Sequence, residues 1–306
     1  MTLPSSAAGV AHAAAPGLYA KPARPSADLL AHLVDRGLVV RDPDVALRAL
    51  RHIGYHRLLI YMRAVQAPVG KWFNPGTTFE QVLALYEFDR RLRVLCLDAI
   101  ERVEVGLRAA IVEALAVPHG PHFYEEPAHF VSRQPWFKHA KLLQLIDDAE
   151  SLAITHYKQT YTTPARPPVW VVLEAATFGM LSRFFSGLTP ANQALVGRTF
   201  SVPPRVLVSW FRSLTLVRNI CAHHGRLWNA HLTADPPLRA HKFAAEFGPL
   251  TSTYDRLVVL AVLLGDVDPD AAQWKQRLTH LFAQFPAARP SAVGCPPGWE
   301  QRPFWA

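Results

Sequence analysis

The amino-acid sequence predicts an all-α protein, a helical bundle with additional N-terminal and C-terminal helices. Apolar residues recur at helical spacing along most of the chain, and 50% of its 306 residues are hydrophobic. The run Phe79–Val117 contains no proline and a single glycine, which is typical of one long helix. Strands alternating with helices are not evident and no internal repeat is found, so α/β and repeat architectures are disfavoured.

The N-terminal part is expected to hold a disordered tail and a small helical hairpin. Residues 1–20 are rich in Ala, Ser, Pro and Gly and contain no Lys or Arg, which argues against a secretory signal with a basic start. Ser26–Arg36 and Asp42–Ile53 have helical spacing on either side of a break that begins at Gly37. Tyr55–Val65 is apolar and aromatic, and it fits either a short helix or a strand.

The long helix has a recognisable start and end. Residues 74–76 read Asn-Pro-Gly, which marks a turn. Thr78, followed three residues later by Gln81, resembles a capping box, the signal that starts a helix. The helix is expected to run over Phe79–Val117 and to end at Pro118. A helix of this length is expected to be the scaffold for the others.

The rest of the chain predicts further helices between proline-rich or irregular segments. Their expected bounds are Trp136–Tyr157, Val169–Leu188, Asn192–Phe200, Arg205–His224, Thr251–Leu264 and Ala271–Phe285. The end of the chain, with Trp299 and Trp305, is expected to be a loop that packs through its aromatic side chains. The predicted regions are a tail (1–20), an N-terminal helical region (21–70), a central helical domain (71–235) and C-terminal helices with an aromatic tail (236–306).

The charge of the chain favours a partner that carries phosphate. The formal net charge is +8, with 32 Lys and Arg against 24 Asp and Glu, and the pI is about 9.6. Most of the basic residues are arginines, whose planar guanidinium grips phosphate through two hydrogen bonds. The alternative is a basic protein with scattered, solvated arginines, and charge alone gives the two interpretations equal weight.

Cysteine usage and hydropathy point to a cytoplasmic protein without a membrane span. Cys96, Cys221 and Cys295 are odd in number and far apart, which argues against a disulfide scaffold or a zinc ribbon. The longest apolar candidate, Leu257–Gly265, is well short of the roughly 18 residues that span a bilayer. Glycine-rich phosphate-binding loops are absent from the sequence, so no nucleotide cofactor is expected.

One stretch, residues 214–229, combines the residue types of an active site. Steps of about 100° per residue place five polar residues on one arc of a helical wheel: Arg218, Asn219, His223, Arg226 and Asn229. Arg226 and Asn229 belong to this arc only if the helix continues past Gly225. His224 falls among the apolar residues and is expected to be buried or to support its neighbour.

These residue types suit the cleavage of RNA without a metal ion. A histidine transfers protons near neutral pH, an arginine stabilises the charge that develops on the phosphate, and an amide orients either group. One helix offers one histidine, whereas two copies facing each other offer an acid and a base. The competing interpretation is a polar stripe whose histidine caps the helix or pairs with an acid, and spacing alone gives it half the weight.

Other polar residues are weaker candidates. Arg93, Glu104 and Arg108 share a face of the long helix and either line the same cleft or form an ordinary ion-pair face, with Glu104 and Arg108 at i,i+4 spacing. Glu174 stands alone in an apolar stretch and is a possible partner of Arg218 or His223, or only a packing residue.

Three histidines of an irregular loop, with two acids between them, invite a metal site: His119, His122 and His129, with Glu125 and Glu126. Their spacing matches no zinc signature, so no metal is expected.

The motif itself, VRNICAHHGRLWN, resembles the signature of the Abi-like (abortive infection) family, part of the HEPN superfamily of all-helical ribonucleases and nucleotide-binding domains. Residues 76–111, with their F-D-x-x-L-R pattern, resemble the long first helix of that family. Residues 33–64 and 167–185 resemble its N-terminal part and the segment before the signature, and GCPPGWEQRPFW resembles its usual end. The likeness covers most of residues 21–306.

This resemblance implies a HEPN-type helical bundle over 71–235 and a metal-independent ribonuclease toxin of antiviral defence, with Arg218, Asn219 and His223 as catalytic residues. It further implies RNA as partner, a homodimer formed through the HEPN domain, and products with a 2′,3′-cyclic phosphate and a 5′-hydroxyl. The alternative is a non-catalytic module that binds a structured small RNA or a partner protein, since many HEPN domains only bind.

Overall fold

A computed structural model describes residues 22–131 and 138–306. Over these residues the chain is mostly helical and contains no sheet, which confirms the all-α bundle with additional helices at both ends. The predicted tail, residues 1–20, and the predicted helix start at Trp136 lie outside the described residues. No helix in the two described ranges has both the length and the apolar character needed to cross a bilayer.

The α-helices follow one another along the chain with short connections. They are α1 Ser26–Asp35, α2 Pro43–Ala49, α3 Tyr55–Arg63, α4 Phe79–Ile111, α5 Val117–His119, α6 His139–Asp147, α7 Leu152–Thr160, α8 Val169–Ala175, α9 Phe178–Gly187, α10 Pro190–Gly197, α11 Pro204–Ala222, α12 Thr253–Val267, α13 Ala271–Gln284 and α14 Pro290–Val293. One π-helical turn, Leu50–Gly54, joins α2 to α3, and another, Val112–Ala116, joins α4 to α5. The alternative of a strand at Tyr55–Val65 is therefore wrong.

The predicted capping box starts α4. The Gln81 amide nitrogen donates to the Thr78 hydroxyl at 3.2 Å, and the Thr78 amide donates to the Gln81 side chain at 3.0 Å. Helical backbone continues through the π-helical turn and α5 to His119, where Gly120 ends it with a φ of +89°. The long helix was therefore predicted nearly to its full extent.

Two predicted helices are each divided in two by a hydroxyl residue that caps a new start. The Ser151 hydroxyl accepts from the Ile154 amide at 3.1 Å and begins α7. The Thr177 hydroxyl accepts from the Met180 amide at 3.3 Å and begins α9, directly after Ala176 takes an extended conformation. In both places the local cap outweighs an apolar periodicity that continues across the break.

α4 is the central scaffold of the bundle. α3, α9, α11, α12 and α13 all pack against it. α12 is buried over most of its circumference, since every residue from Thr253 to Leu264 is buried. The C-terminal segment closes this side of the core through Trp299 and Trp305, each 2% exposed, which confirms the expected packing of the aromatic tail.

Candidate functional site

The signature helix α11 ends earlier than predicted, at Ala222. The His224 amide donates to the Cys221 carbonyl at 3.1 Å and the Gly225 amide donates to the Ile220 carbonyl at 2.7 Å, which together form a Schellman motif. His224 takes the left-handed conformation with a φ of +57°. A Cβ atom on Gly225 would lie 2.9 Å from the Ile220 side chain, so the position after His224 requires glycine.

Because α11 ends at Ala222, three residues do not lie where the sequence predicted them. Arg226 and Asn229 are not on the polar arc of α11, because the chain has left the helix before reaching them. Arg226 instead donates to the Ile60 carbonyl at 3.5 Å, and the Asn229 amide donates to the Ala292 carbonyl at 3.0 Å. His224 is exposed, not buried, because the left-handed turn directs the chain away from the apolar side of α11.

Arg218, Asn219 and His223 do lie together at the C-terminal end of α11. Arg218 is half-buried, whereas Asn219 and His223 are exposed. An Arg218 Nη1 atom donates to the Asn219 side-chain oxygen at 3.4 Å. The His223 ring makes no hydrogen bond or ion pair with another residue in the described ranges, so the pairing with an acid is not found there. His223 is the C-cap residue of α11, which agrees with the capping half of the competing interpretation. Their catalytic role stays a prediction.

The loop after α11 is anchored on a buried carboxylate, Asp89 of α4. Asp89 is 0% exposed. One of its oxygens accepts from the Leu227 amide at 3.0 Å and from the Trp228 amide at 2.6 Å. Its other oxygen accepts from the Tyr61 hydroxyl at 2.6 Å and from Arg93. Asp89, Tyr61 and Arg93 are called the Asp89 clamp below.

The clamp satisfies the polar groups that it buries. Burial, followed by the negative charge of Asp89, raises the pKa of the Tyr61 phenol, which therefore stays protonated as a donor. Arg93 also donates to the Gly225 carbonyl at 3.2 Å. The clamp thereby joins α3, α4 and the loop that follows His223.

Cations compensate the negative end of α11. The C-terminus of a helix carries a partial negative charge, which repels phosphate. Arg57 donates to the His224 carbonyl at 2.6 Å, and Arg93 approaches the next carbonyl along the chain. These two guanidinium groups and Arg218 bring positive charge to the end of the helix that presents the histidine.

Sequence reasoning did not select Asp89, Tyr61 or Arg57. A signal for Asp89 was present, because it lies on the apolar stripe of α4 with Leu85 and Leu92. An acid on the buried face of a helix requires partners, and Arg93 one turn later is the obvious one. Nothing local indicates Tyr61 or Arg57, which reach the site only through the packing of α3.

The other acidic and basic candidates form an ion-pair network. Glu104 and Arg108 are 2.5 Å apart, as their i,i+4 spacing predicts, and Arg108 also lies 3.3 Å from Glu174. The proposed pairing of Glu174 with Arg218 or His223 is therefore wrong. Burial raises the pKa of Glu104, and the positive charges of Arg108 and Arg218 oppose this rise.

Arg93 does not belong to this network. It precedes Glu104 by eleven residues, which is about 16 Å along a helix. It pairs with Asp89 instead. The three residues share one face of α4, as predicted, but they belong to two separate clusters. Arg93 pairs with Asp89, whereas Glu104 and Arg108 pair with each other.

The histidine-rich loop packs its rings together. The His119 and His129 ring centroids are 4.6 Å apart, and the Asn192 amide lies 3.2 Å from His129 Nδ1. Burial and then the positive charge of His119 lower the pKa of His129. Nowhere in residues 22–131 and 138–306 do three His, Cys, Asp or Glu side chains group in a way that could hold a metal ion.

Comparison with known proteins identifies the family. The family model described as Abi-like protein matches residues 48–229, more than half of the chain. The match contains the whole Asp89 clamp and all of the motif VRNICAHHGRLWN, residues 217–229. Neither the curated proteins nor the solved structures gave a match. The length of the family match shows that this chain belongs to the Abi-like protein family.

Proposed function

We propose that this Abi-like protein is a metal-independent endoribonuclease of an abortive-infection defence system, with a HEPN-type site at Arg218, Asn219 and His223. The observation that carries the proposal is the grouping of these three side chains at one helix end, where Asn219 and His223 are exposed and His223 is unpaired among the described residues. An exposed histidine beside an arginine suits acid–base chemistry at a phosphodiester.

The reaction follows from the groups present. The ribose 2′-oxygen attacks the adjacent phosphorus, the bond from phosphorus to the 5′-oxygen breaks, and the products are a 2′,3′-cyclic phosphate and a 5′-hydroxyl. A histidine takes the 2′-proton and a second one protonates the leaving 5′-oxygen. Arg218 stabilises the charge on the non-bridging oxygens, and Asn219, held by Arg218, orients the phosphate.

Two sources can supply the second histidine. A homodimer that joins the HEPN-type domains brings His223 of each copy to one composite site. His224 of the same chain is the other source, because the left-handed turn leaves it exposed next to His223. The dimer is the preferred arrangement, because two adjacent residues on a tight turn present their side chains in different directions.

A cleavage assay tests this proposal. Purified protein in EDTA is expected to cut a labelled single-stranded RNA and leave cyclic-phosphate ends. His223→Ala is expected to lower the rate by about 10²-fold or more, because it removes a proton-transfer group. His280→Ala is the control, since His280 is an exposed histidine on α13.

Undiminished cleavage by the His223→Ala protein contradicts the site. Tight RNA binding by the wild type with no turnover contradicts the ribonuclease and instead supports an RNA-binding module. Retention of fold is checked by circular dichroism of each variant.

A further inference from the structure

A cleft lies beside the candidate site, between α6, α9 and α11. Its volume is about 550 Å³. One face of α11 lines it along most of the helix, through Val208, Arg212, Thr215, Leu216 and Asn219. Their spacing of three, four and seven residues keeps them on one side of α11. Asn219 therefore belongs both to the cleft and to the candidate site.

The cleft is positively charged. The described part of the chain contributes four cations to its lining: Lys138 and Lys141 at the start of α6, Arg183 of α9 and Arg212 of α11. The only acid in its described lining is Asp235, which lies 2.6 Å from Arg212. Arg183 is exposed and makes no ion pair with a residue of the described ranges. The excess of positive charge favours an anionic occupant.

The geometry of α11 connects the cleft to the histidine. Val208 and Asn219 are eleven residues apart, which is about 16 Å along the helix. His223 caps the same helix and follows Asn219 by four residues, the spacing that keeps two residues on one helix face. A chain lying in the cleft is thus directed towards His223 and extends away from it along α11.

The lining also indicates how the occupant is held. Leu142, Leu145, Val208 and Leu216 provide apolar surface, and no aromatic ring is among the described lining residues. The described lining therefore offers no ring of the kind on which single-strand binders stack bases. Its cations instead suit contacts to phosphate, and contacts of that kind carry no sequence information.

We propose that this cleft is a phosphate-binding subsite for the backbone of one RNA strand, adjacent to the bond that the enzyme cuts. The inference rests on the proposed ribonuclease and adds to it a sequence-independent grip on single-stranded substrate. The volume lies within the range of roughly 300–1,000 Å³ that is typical of small-ligand sites, so the cleft covers a short stretch of a strand. It accommodates one strand, not a duplex.

The test measures binding in a protein that does not cut. Full-length protein carrying His223→Ala is titrated with a fluorescent single-stranded RNA between 50 and 200 mM salt. Arg183→Gln and Lys141→Gln are each expected to weaken binding about fivefold at 0.1 M salt. Each is also expected to reduce the slope of log K against log salt by about 0.7, the value for one phosphate contact on a single strand.

Arg48→Gln is the matched control, because Arg48 is an exposed arginine of α2 and its replacement changes the net charge equally. Binding by the cleft variants that equals binding by the control overturns the proposal. A strong preference between two RNAs of equal length and different sequence overturns it as well. Two RNAs bound alike, with reduced salt slopes for the cleft variants alone, support it.

Two further outcomes separate this inference from its alternatives. A wild type that never cuts RNA, but whose cleft variants lose binding as stated, supports the cleft and overturns only the ribonuclease. An acidic peptide whose binding falls in the same variants, while RNA binding does not, assigns the cleft to a protein partner and overturns the proposal.

Discussion

His224 occupies a backbone conformation that favours glycine, at the point where α11 ends. A left-handed conformation costs a residue with a Cβ about 1 kcal/mol, so the surrounding contacts must hold the turn. The bond from Arg57 to the His224 carbonyl and the close packing of Gly225 on Ile220 supply them. His223 thus obtains its exposed position from the residues around it, and Asp89 is the most buried of the anchors.

Replacement of Asp89 tests that anchor. Asp89→Asn removes the charge that balances buried Arg93 and leaves fewer acceptors for the Leu227 and Trp228 amides. We expect it to lower the free energy of unfolding by about 3 kcal/mol or more and to lower RNA cleavage as well. Urea denaturation followed by circular dichroism measures the first effect.

Glu87→Gln is the control on the same helix, because Glu87 pairs with Arg90 and Arg91 at the surface. A surface pair contributes about 1 kcal/mol or less. Equal destabilisation by the two substitutions would show that the clamp does not anchor the loop.

The sequence predicts the residues of the candidate site better than its shape. Arg218 and Asn219 lie within α11, where helical periodicity determines their positions, so their neighbourhood follows from local spacing. α11 ends at Ala222 because His224 takes the left-handed conformation. A histidine in the sequence does not predict that conformation. The bond between Asp89 and the Leu227 amide joins residues 138 positions apart. A local sequence pattern cannot predict a contact between residues so distant in the chain.

At the scale of elements, the crossing of α4 and α12 depends on one glycine. A Cβ atom on Gly106 would lie 2.6 Å from Val267 Cγ1 and 2.8 Å from Val267 Cβ. Valine is branched at Cβ and stiff, so it cannot turn aside easily. The glycine that weakens α4 locally is therefore the one that lets α12 approach it.

A pair of alanine substitutions tests this crossing. Gly106→Ala is expected to destabilise the protein, although alanine is the better helix former by about 1 kcal/mol. Gly265→Ala, on α12 with no atom within 4 Å of the new Cβ, is expected to stabilise it by up to that amount. Thermal denaturation of both proteins measures the difference, and stabilisation by Gly106→Ala would contradict the close packing.

Helix starts show where element prediction succeeds and fails. The capping box of α4 and the long run without proline both favour a helix over the same residues, so that helix was predicted nearly in full. Ser151 and Thr177 are also capping residues, but apolar spacing continues past both, and each pair of helices was predicted as one. A local cap outweighs periodicity only when tertiary packing offers the second helix a new direction.

At the scale of the whole molecule, the core extends beyond the family match. Buried side chains from Leu30 to Trp305 form one hydrophobic cluster within the described residues. The Trp305 indole nitrogen donates to the Tyr254 hydroxyl at 2.9 Å, and its ring lies 5.0 Å from that of Trp299. The aromatic tail is therefore part of the structure that supports α12.

Truncation of that ring tests the contribution of the tail. Trp305→Ala is expected to lower the free energy of unfolding by about 3–5 kcal/mol, the usual effect of removing a buried aromatic ring. Trp72→Ala, at a tryptophan that is 57% exposed, is expected to change it by about 0.5 kcal/mol or less. A Trp305→Ala protein as stable as Trp72→Ala would show that the tail is not part of the core.

The loop that follows His223 also bonds to residues made much later. The Thr253 hydroxyl donates to the Leu227 carbonyl at 2.8 Å, and Asn229 donates to Ala292. During synthesis on the ribosome, α11 is made before either partner, and Ala292 follows its last residue, Ala222, by about 70 residues. On the proposed function, a nascent chain carries its catalytic residues without the support that orders them, so cutting begins only after Ala292 has left the ribosome.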